Sequence, residues 1–412
     1  MVQETVQKHG VSRRSFLKGV GAVAGAAVIG LPSLQKALAQ ALPTSFGSLP
    51  KDTLLKMYTG MQRIRQLDNQ IGVIQTADNQ LPIGTQANGF EGGRKLQPGS
   101  SFPWEHTSIG EEAVNVGVAT AMQPGDLLVG TYRCHGYAAA LGMDMKALFA
   151  ELYGRVTGIN RGHGGSMTLN DPSIGLLAVT GIVGAGVPHG VGVAKALKLQ
   201  GKKNVAIAAF GDGATKAGNF ASALNLAQIW QVPVVFVIHN NQFQTSVKAA
   251  WEDSLSRAGK DLSVRAVAYD MPGVTVDGMD VFAVYNAASQ LIEQARANNT
   301  PALLECVTYR FLGHSHALSK HEVLNWPYSD PAELDYWMRR DPITRFENVV
   351  LAQEGVLTQA PAGLLAQADL DAVKQQVAAE IAAAVDFADK SEKPDPKVEY
   401  KHFADVFGVS LP

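Results

Sequence analysis

Short apolar runs alternate with stretches of helical spacing between about residue 105 and residue 311. The strand candidates are DLLVGTYR, NVAIAAF, VPVVFVIH, GVTVDG and PALLECVTYRF, and the helix candidates are MKALFAELYGR, NFASALNLAQIW and DVFAVYNAASQLIEQARAN. This alternation predicts a parallel sheet wrapped by helices. Because most of the strand candidates are continuously apolar, we expect both faces of the sheet to be buried. The pattern therefore predicts an α/β fold.

The segments on either side of this alternation have a different pattern. Residues 51–77 show helical apolar spacing, whereas residues 78–104 are rich in Gly, Pro, Gln and Asn and predict a long loop. The tail from about residue 331 is polar and helical. We predict four segments: an export signal at 1–39, a helical segment and long loop at 40–104, the sheet domain at 105–325, and a helical tail at 326–412.

The first forty residues predict a removable export signal. SRRSFLKG, residues 12–19, places two adjacent arginines before a weakly apolar Ala/Gly/Val stretch, and ALA follows at 37–39. This order is that of a cleaved signal and not of a stable membrane span. The arginine pair resembles the bacterial twin-arginine signal, an address that a transporter reads. We therefore expect a periplasmic protein exported in folded form; the alternative is an N-terminal helix with an accidental Arg-Arg pair.

Composition narrows the class of partner. The chain has 412 residues, a formal net charge of -2 and a sequence pI near 6.6. Nucleic acid is excluded as an expected partner, because phosphate backbones are bound by clustered Lys and Arg. The two cysteines, Cys134 and Cys306, could form one bridge in an oxidising compartment, but two separate buried thiols are the favoured interpretation.

The stretch GDGATKAGNF places Asp212 between two glycines, where an apolar strand ends and a helix begins. In a doubly wound sheet, ligands bind at the carboxyl ends of the strands. The flanking Gly211 and Gly213 let a phosphate approach the backbone, and Gly213 and Ala214 lead to a helix whose N-terminal amides favour an anion. A carboxylate beside phosphates requires a cation between them. Asn241 ends the next strand, so the two side chains predict a Mg²⁺ site beside a bound diphosphate.

A series of motifs then resembles one known family. EHTSIGEEA, TYRCHG, GRVTGINRGHGGSM, TGIVGAGVPHGVG, GDGATKAGNF, HNNQF, MPGVTVDGMD and TYRFLGHS occur in this order. The order is similar to that in alpha subunits of the decarboxylating component of 2-oxoacid dehydrogenase complexes, of the pyruvate and acetoin types. The resemblance covers residues 105–315 closely. It implies the diphosphate-binding domain of the thiamine diphosphate-binding fold, with helical extensions at both ends.

The resemblance implies roles for the residues that match the family's motifs. The implied Mg²⁺ ligands are the side chains of Asp212 and Asn241 and the main-chain carbonyl of Phe243, where the family usually has Tyr. The implied cofactor-binding residues are Tyr132, Arg133, Gly181, Val183, Asp212, Gly213, Ala214, Asn241 and His314. The implied catalytic residues are His106 and His314, which can donate a hydrogen bond to a developing oxyanion. His135 is a further candidate, for which a structural role is equally open.

The family also implies a reaction and a partner. The substrate is a small 2-oxo acid or an acyloin, and the acyl group passes to an acceptor such as a lipoyl carrier. The glutamate that activates the cofactor comes from a beta subunit in this family. After removal of the signal, the chain has room for only one sheet domain of this kind. We therefore expect an alpha2-beta2 heterotetramer whose alpha chain is inactive alone.

Several positions depart from the family pattern and leave alternatives open. Lys216 and Ala217 replace the usual Asn and Glu or Gln, Ser222 and His239 replace glutamates, and the 316–330 loop lacks the usual Asp. Lys216 could attract the diphosphate or be a solvated residue at a helix start. A catalytically idle cofactor-binding scaffold subunit is therefore the rival to an enzyme. The motifs do not separate a pyruvate dehydrogenase from an acetoin dehydrogenase.

Overall fold

The structure, a computed structural model, describes residues 49–75, 105–315, 330–351, 364–395 and 397–398. Three predicted segments fall wholly or mostly outside these residues. They are the export signal at 1–39, the long loop at 78–104 and the 316–330 loop, of which residue 330 alone is described. Among the described residues, no helix combines the length and the apolar character that a membrane span requires.

A parallel sheet forms the centre of the described chain. Its six strands are β1 Leu127–Thr131, β2 Leu176–Thr180, β3 Ala206–Gly211, β4 Val234–Asn240, β7 Gly273–Asp277 and β8 Ala302–Val307. They lie in the order β2-β1-β3-β4-β8-β7, and each neighbouring pair is parallel. A short antiparallel hairpin of β5 Phe243–Gln244 and β6 Val247–Lys248 follows β4. The predicted α/β fold with a parallel sheet is confirmed.

Helices cover both faces of this sheet. The longer ones are α1 Lys51–Gln75, α2 Glu112–Ala121, α4 Met145–Leu152, α5 Gly186–Leu199, α6 Gly218–Trp230, α9 Val281–Asn298, α10 Pro331–Met338, α11 Pro342–Val350 and α12 Gln367–Lys390. The shorter ones are α3 His135–Leu141, α7 Ala249–Glu252 and α8 Ser254–Arg257. Short 3-10 helices lie at Pro172–Ile174, Asp212–Lys216 and Leu262–Tyr269.

The continuous apolar runs are explained by two hydrophobic cores, one on each face of the sheet. Along β3, Ala206, Ala208 and Phe210 point into one core, and Ile207 and Ala209 point into the other. Side chains alternate across a strand, so a strand buried on both faces needs apolar residues at every position. β4 has the same pattern and is buried along its whole length. This explains why neither strand shows hydrophobic alternation.

The larger core also includes the helices that flank the sheet domain in sequence. Leu54, Met61 and Leu67 of α1 are fully buried in it or nearly so, and Val377 and Ile381 of α12 lie in the same cluster. Arg63 of α1 and Glu380 of α12 form an ion pair of 2.6 Å across this contact. The N-terminal and C-terminal helices therefore pack against each other on the same face of the sheet, where α1 also contacts α2 and α12 also contacts α4.

Three differences from the sequence prediction have local physical causes. PALLECVTYRF predicts a strand to residue 311, but β8 ends at Val307 because its neighbour β7 ends at the paired Asp277. β2 has no counterpart in the predicted pattern; it is short, only partly buried and lies at the sheet edge. A 3-10 turn separates Asp212 from the start of α6 at Gly218, so the helix does not begin directly after the GDG motif.

The cysteines follow the favoured prediction. Cys134 and Cys306 are both buried and both unbridged. Cys134 donates a hydrogen bond from Sγ to the carbonyl of Ser166 at 3.2 Å. Burial raises the pKa of the Cys134 thiol to about 12 and that of Cys306 well above its usual value. Both residues are therefore inert, neutral core thiols.

Candidate active site

Neighbouring strands bring the predicted metal ligands to one cleft at the carboxyl edge of the sheet. Gly211, the last residue of β3, pairs with His239 near the end of β4. Asp212 follows Gly211 directly and Asn241 lies two residues after His239, so both leave the sheet at the same edge. The cleft is lined by most of the predicted site residues: Tyr132, Arg133, Val183, Asp212, Gly213, Ala214, Asn241, Phe243 and His314. The sequence prediction thus placed nine residues in one site.

Asp212 is a buried carboxylate with an unsatisfied oxygen. Its exposed fraction is 2%, and its Oδ2 atom has no hydrogen-bond partner among the residues that the structure describes. Burial raises the pKa of this carboxyl to about 7, although the charges of Lys216 and Arg310 act in the opposite direction. Burying a carboxylate without a partner is costly. A cation bound beside Asp212 would supply the partner that its Oδ2 atom lacks.

Asn241 is held by a carboxylate that sequence reasoning missed. Its Nδ2 atom donates to Glu111 Oε1 at 2.7 Å, and the backbone N–H of Phe243 approaches its Oδ1 atom at 3.3 Å. Glu111 is 1% exposed and lies directly before α2. Burial alone would raise the pKa of Glu111, but the hydrogen bond from His239 and the charge of Arg133 hold it below its usual value. The carboxylate is therefore an ionised acceptor.

Arg133 is pre-oriented by main-chain carbonyls. It donates from Nη1 to the carbonyl of Thr107 at 2.6 Å and from Nη2 to the carbonyl of His314 at 3.0 Å. Its Nε atom lies 3.6 Å from Glu111 Oε1. Two of these contacts join loops that carry the candidate histidines. Arg133 thus stands at the cleft as a fixed positive charge, as an anion-binding residue should.

A second arginine, Arg310, lies in the same cleft and was missed by sequence reasoning. It donates from Nε to the carbonyl of Leu312 at 3.0 Å and from Nη2 to the carbonyl of Thr245 at 2.7 Å. Its guanidinium also stacks near the ring of Phe243, at 5.7 Å from the centroid. The signal for Arg310 was present, because it belongs to TYRFLGHS and stands four residues before His314. Glu111 likewise belongs to EHTSIGEEA.

Three aromatic side chains form one cluster beside these charges. The ring of His106 lies 4.5 Å from that of Tyr132 and 4.8 Å from that of His314, and the rings of Tyr132 and His314 are 5.7 Å apart. Burial, followed by the charges of Arg133 and Arg310, lowers the pKa of His314 to about 3. A neutral imidazole can donate one hydrogen bond while its other nitrogen accepts one. His106 does not line the cleft itself but contacts two residues that do.

The remaining predicted site residues differ in their exposure and in whether they line the cleft. Val183 lines the cleft and is 54% exposed, whereas Gly181 lies on the exposed turn before it and is not in the lining. A Cβ atom at Gly213 would approach Gln244 Cγ to 2.9 Å, so glycine allows the Gln244 side chain to pack closely beside Asp212. The Phe243 side chain is buried against Tyr309, at a ring distance of 5.4 Å. The roles implied for these residues stay predictions.

The structure separates the other candidates into distinct environments. His135 is fully buried between Asp68 and Ser166, 2.8 Å from each, and its role is structural. His239 lines the cleft and bonds Glu111 at 3.0 Å. The Lys216 ammonium is buried without a hydrogen-bond partner in the described chain, so Lys216 is not a solvated residue at a helix start. Burial lowers its pKa, and the charge of Asp212 acts in the opposite direction.

The charge distribution defines the class of ligand. Within the described ranges, no group of three His, Cys, Asp or Glu side chains could hold a metal by itself. The cleft instead combines one carboxylate, one amide and two arginines, a set that binds an anion together with a cation. A parallel α/β sheet with this set at its strand ends defines an enzyme component that binds a phosphate-bearing cofactor.

Comparison with known proteins identifies the family. The protein family described as "Dehydrogenase E1 component" matches residues 92–397, which is more than half of the chain. The chain belongs to this family. The resemblance to pyruvate and acetoin dehydrogenase alpha subunits is therefore confirmed at the level of the family. Enzymes of this family depend on thiamine diphosphate, so the chain is an alpha-type component of a thiamine diphosphate-dependent oxidoreductase.

Three relatives illustrate the extent of the similarity. The alpha subunit of acetoin:2,6-dichlorophenolindophenol oxidoreductase from Bacillus subtilis (strain 168) is 38% identical over 70% of this chain and 81% of its own length. The subunit of the same name from Cupriavidus necator is 36% identical over 85% of this chain and 93% of its own length. The pyruvate dehydrogenase E1 component subunit alpha of Rhizobium meliloti (strain 1021) is 33% identical over 84% of this chain and 88% of its own length.

Proposed function

We propose that this chain is the alpha subunit of a thiamine diphosphate-dependent 2-oxo acid dehydrogenase. It decarboxylates pyruvate or a similar 2-oxo acid oxidatively, with transfer of the acyl group to an acceptor. The observation that carries the proposal is the convergence of Asp212, Asn241, Arg133 and His314 on one cleft at the strand ends. The similarity to named pyruvate and acetoin dehydrogenase alpha subunits supports it.

Mg²⁺ is the cation that fits the cleft. Mg²⁺ prefers oxygen ligands and is usually held by one or two carboxylates together with substrate phosphates. The unsatisfied Oδ2 atom of Asp212 supports a cation at this position, and the amide of Asn241 leaves the next strand beside it. Asp212, Asn241 and the main-chain carbonyl of Phe243 would hold the ion. Bound there, it would offset the charge of a diphosphate beside a carboxylate.

The two arginines and the glycine-flanked backbone would hold the diphosphate. Arg133 and Arg310 both line the cleft, and their main-chain hydrogen bonds keep the guanidinium planes in place. Gly213 lines the same cleft and has no side chain that could obstruct a phosphate. When bound, thiamine diphosphate supplies the nucleophilic carbon and the electron sink that decarboxylation of a 2-oxo acid requires. The protein's part is to bind, orient and protect that chemistry.

His106 and His314 would act on the substrate's oxygen atoms. The low pKa of His314 keeps its imidazole neutral at physiological pH, so it can donate from a ring N–H without adding charge to the site. Contact between the rings of His106, Tyr132 and His314 restricts the orientation of each. A fixed donor aimed at developing negative charge is worth more than a mobile one. Both histidines therefore serve to orient the 2-oxo acid.

A beta subunit completes the site in this proposal. Of the residues that line the cleft, the carboxylates are Glu111 and Asp212. Glu111 is occupied by Asn241 and His239, and Asp212 is assigned to the cation. We infer that the activating glutamate comes from another chain, as the resemblance to the family implies. Ile182 and Val183, 72% and 54% exposed at the cleft, offer an apolar contact for that partner in an alpha2-beta2 assembly.

Acetoin is the second candidate substrate. The two relatives with identities of 38% and 36% carry acetoin in their names, whereas the relative from Rhizobium meliloti at 33% carries pyruvate. Co-expression with a beta chain and assay with pyruvate and acetoin, with an artificial electron acceptor, separates the candidates. The higher kcat/KM identifies the substrate. Absence of turnover with either substrate by a cofactor-loaded complex supports the idle scaffold subunit instead.

The cofactor assignment is tested by calorimetric titration with thiamine diphosphate in the presence and absence of Mg²⁺. We expect Mg²⁺-dependent binding by the wild-type chain and loss of that dependence in Asp212→Ala. The variant should fold, with an unchanged or higher Tm, because it removes a buried carboxylate oxygen that has no partner. Undiminished Mg²⁺-dependent affinity in Asp212→Ala overturns the metal assignment.

Residues 1–39 are proposed to export the folded chain by the twin-arginine pathway, which places the enzyme in the periplasm. The support is the order of arginine pair, weakly apolar stretch and ALA site. An exported enzyme would use an acceptor other than the cytoplasmic lipoyl carriers. Fusion of these residues to a reporter, with Arg13→Lys and Arg14→Lys together as the control, tests the address. Export that survives the double change argues against the pathway.

A further inference from the structure

The amide of Asn241 has two chemically different ends, and only one of them can serve a cation. Its oxygen is an acceptor, whereas its nitrogen carries two donor hydrogens and repels a positive charge. A rotation of half a turn about the terminal bond exchanges the two ends at little steric cost. A metal site that uses this amide therefore needs a second residue that fixes its orientation.

Glu111 meets that requirement. Its Oε1 atom accepts from Asn241 Nδ2 at 2.7 Å, while its Oε2 atom lies 3.0 Å from His239 Nδ1. An ionised carboxylate has no hydrogen to donate, so only the nitrogen end of the amide can face it. The oxygen end is thereby left to the cleft side. The same Oε1 atom lies 3.6 Å from Arg133 Nε, so one carboxylate contacts both the amide and the arginine.

Behind Glu111, a chain of hydrogen bonds has a fixed direction. His239 must donate from Nδ1, because the acceptor there is Glu111. Its Nε2 atom, 2.8 Å from the Tyr137 hydroxyl, then accepts from that hydroxyl in the neutral ring. His239 and Tyr137 are both buried, as is Glu111. Burial of three such groups is tolerated because each donor meets an acceptor.

The preceding asparagine provides an internal comparison. Asn240 donates from Nδ2 to Glu305 Oε1 at 2.7 Å, the same distance as in the pair formed by Asn241 and Glu111. The Oδ1 atom of Asn240 accepts from Gln242 Nε2 at 2.9 Å, so both ends of this amide are used inside the protein. Asn240 and Glu305 do not line the cleft. Asn240 is thus held away from the cleft, whereas Asn241 lines the cleft, and its oxygen, which accepts from the backbone N–H of Phe243 at 3.3 Å, keeps a second lone pair for a cation.

We propose that Glu111 is a positioning residue of the cofactor site, which holds the Asn241 amide with its oxygen toward the cation. This inference rests on the proposed Mg²⁺ and thiamine diphosphate site. It assigns to Glu111 a role in metal-dependent cofactor binding that does not require contact with the substrate. It also explains why a carboxylate stands buried between Arg133 and Asn241.

The test compares cofactor affinity with and without Mg²⁺ in Glu111→Gln and in the matched control Glu305→Gln. Glutamine has one acceptor oxygen for two donors and can also donate, so the Asn241 amide is free to turn. We expect the Mg²⁺-dependent gain in thiamine diphosphate affinity to fall by about tenfold or more in Glu111→Gln, the scale of a lost charged hydrogen bond. The affinity in EDTA should not fall, because the change removes a negative charge beside Arg133 and takes no donor from the diphosphate. Glu305→Gln should keep the full gain, even if its Tm falls.

A charge-conserving exchange, Glu111→Gln with Asn241→Asp, provides the rescue. Both ends of an aspartate are oxygens, so its orientation no longer matters, and the glutamine introduced opposite can donate to it. We expect the exchange to restore the Mg²⁺-dependent gain, and it keeps the pair intact if the single variant fails to fold. A wild-type chain without such a gain overturns the proposed metal site. A gain that is normal in wild type and unchanged in Glu111→Gln, or not restored by the exchange in a folded protein, overturns the role of Glu111.

Discussion

The imidazole rings of His106 and His314 meet edge to face, with their centroids 4.8 Å apart and their planes at 80°. The two residues are distant in sequence, and α2 and the six strands of the parallel sheet lie between them along the chain. Arg310 Nη1 lies 3.4 Å from His314 Nδ1, which places a permanent positive charge beside the ring. This charge favours the neutral form of the His314 ring.

The first prediction concerns the pH dependence of folding. The pKa of His314 in the folded chain is about 3, below the ordinary 6.5, because of burial and the adjacent arginines. Between these values the unfolded chain binds a proton that the folded chain does not. The free energy of unfolding therefore falls as the pH is lowered through this window. Tm measured from pH 7 to pH 4 should fall less steeply in His314→Asn than in wild type; equal slopes contradict the assignment.

Arg310 gives the second prediction. Replacement by Lys keeps the charge but removes the planar pair of donors, and replacement by Ala removes both. We expect thiamine diphosphate affinity to fall by about 10- to 100-fold in Arg310→Ala, with Arg310→Lys between that value and wild type. Calorimetric titration measures both variants. The control is Arg339→Ala, whose side chain is 67% exposed directly after α10. Wild-type affinity in Arg310→Ala contradicts a role in diphosphate binding.

The third prediction concerns the glycine-rich loop of GINRGHGGSM. Glu151 of α4 accepts hydrogen bonds from the backbone N–H groups of Asn160, Gly162, Gly164 and Gly165, at 2.6–3.0 Å. Glu151→Gln leaves one acceptor oxygen for these donors. We expect a loss of about 1–3 kcal/mol in the free energy of unfolding, because buried backbone donors lose their acceptor. Urea unfolding checks this value. Glu293→Gln on the solvent side of α9 serves as the neutral comparison.

Assembly gives the fourth prediction. Ile182→Asp with Val183→Asp places two charges on the exposed apolar turn at the cleft. We expect the double variant to stay folded, because both side chains are exposed, and to lose association with a beta chain in size-exclusion chromatography. Leu199→Asp is the matched control. It alters a residue that is 76% exposed at the far end of α5, about 20 Å along the helix. Assembly of the double variant at wild-type affinity refutes this contact.

The sequence predicted the sheet well where its strands are central. β3 and β4 are continuously apolar because both of their faces are buried, and this pattern leaves little room for another interpretation. β2 was missed because it lies at the edge, where burial is incomplete and the apolar signal is diluted. Strand ends were less predictable, since β8 ends where pairing with β7 ends and not where its apolar residues end.

The site was predictable as far as motifs mark it. Asp212 and Asn241 could be placed together from strand order alone, because parallel strands end at one edge. Glu111 was missed because nothing in EHTSIGEEA indicates which carboxylate points toward the HNN motif; that depends on how α2 packs. Arg310 was missed because the role implied for its motif belongs to His314. His135 could not be separated from the site residues until its buried contacts with Asp68 and Ser166 were known.

The main-chain contacts of Arg133 have a mechanical consequence. One guanidinium binds the carbonyl of Thr107, next to His106, and the carbonyl of His314 itself. An anion that draws this side chain toward the cleft competes for those same donors and loosens or shifts both histidine loops together. Occupancy by the diphosphate and alignment of the two rings are thus not independent variables. An empty cleft and a filled one should differ in the orientation of the His106 and His314 rings, even if the sheet beneath does not move.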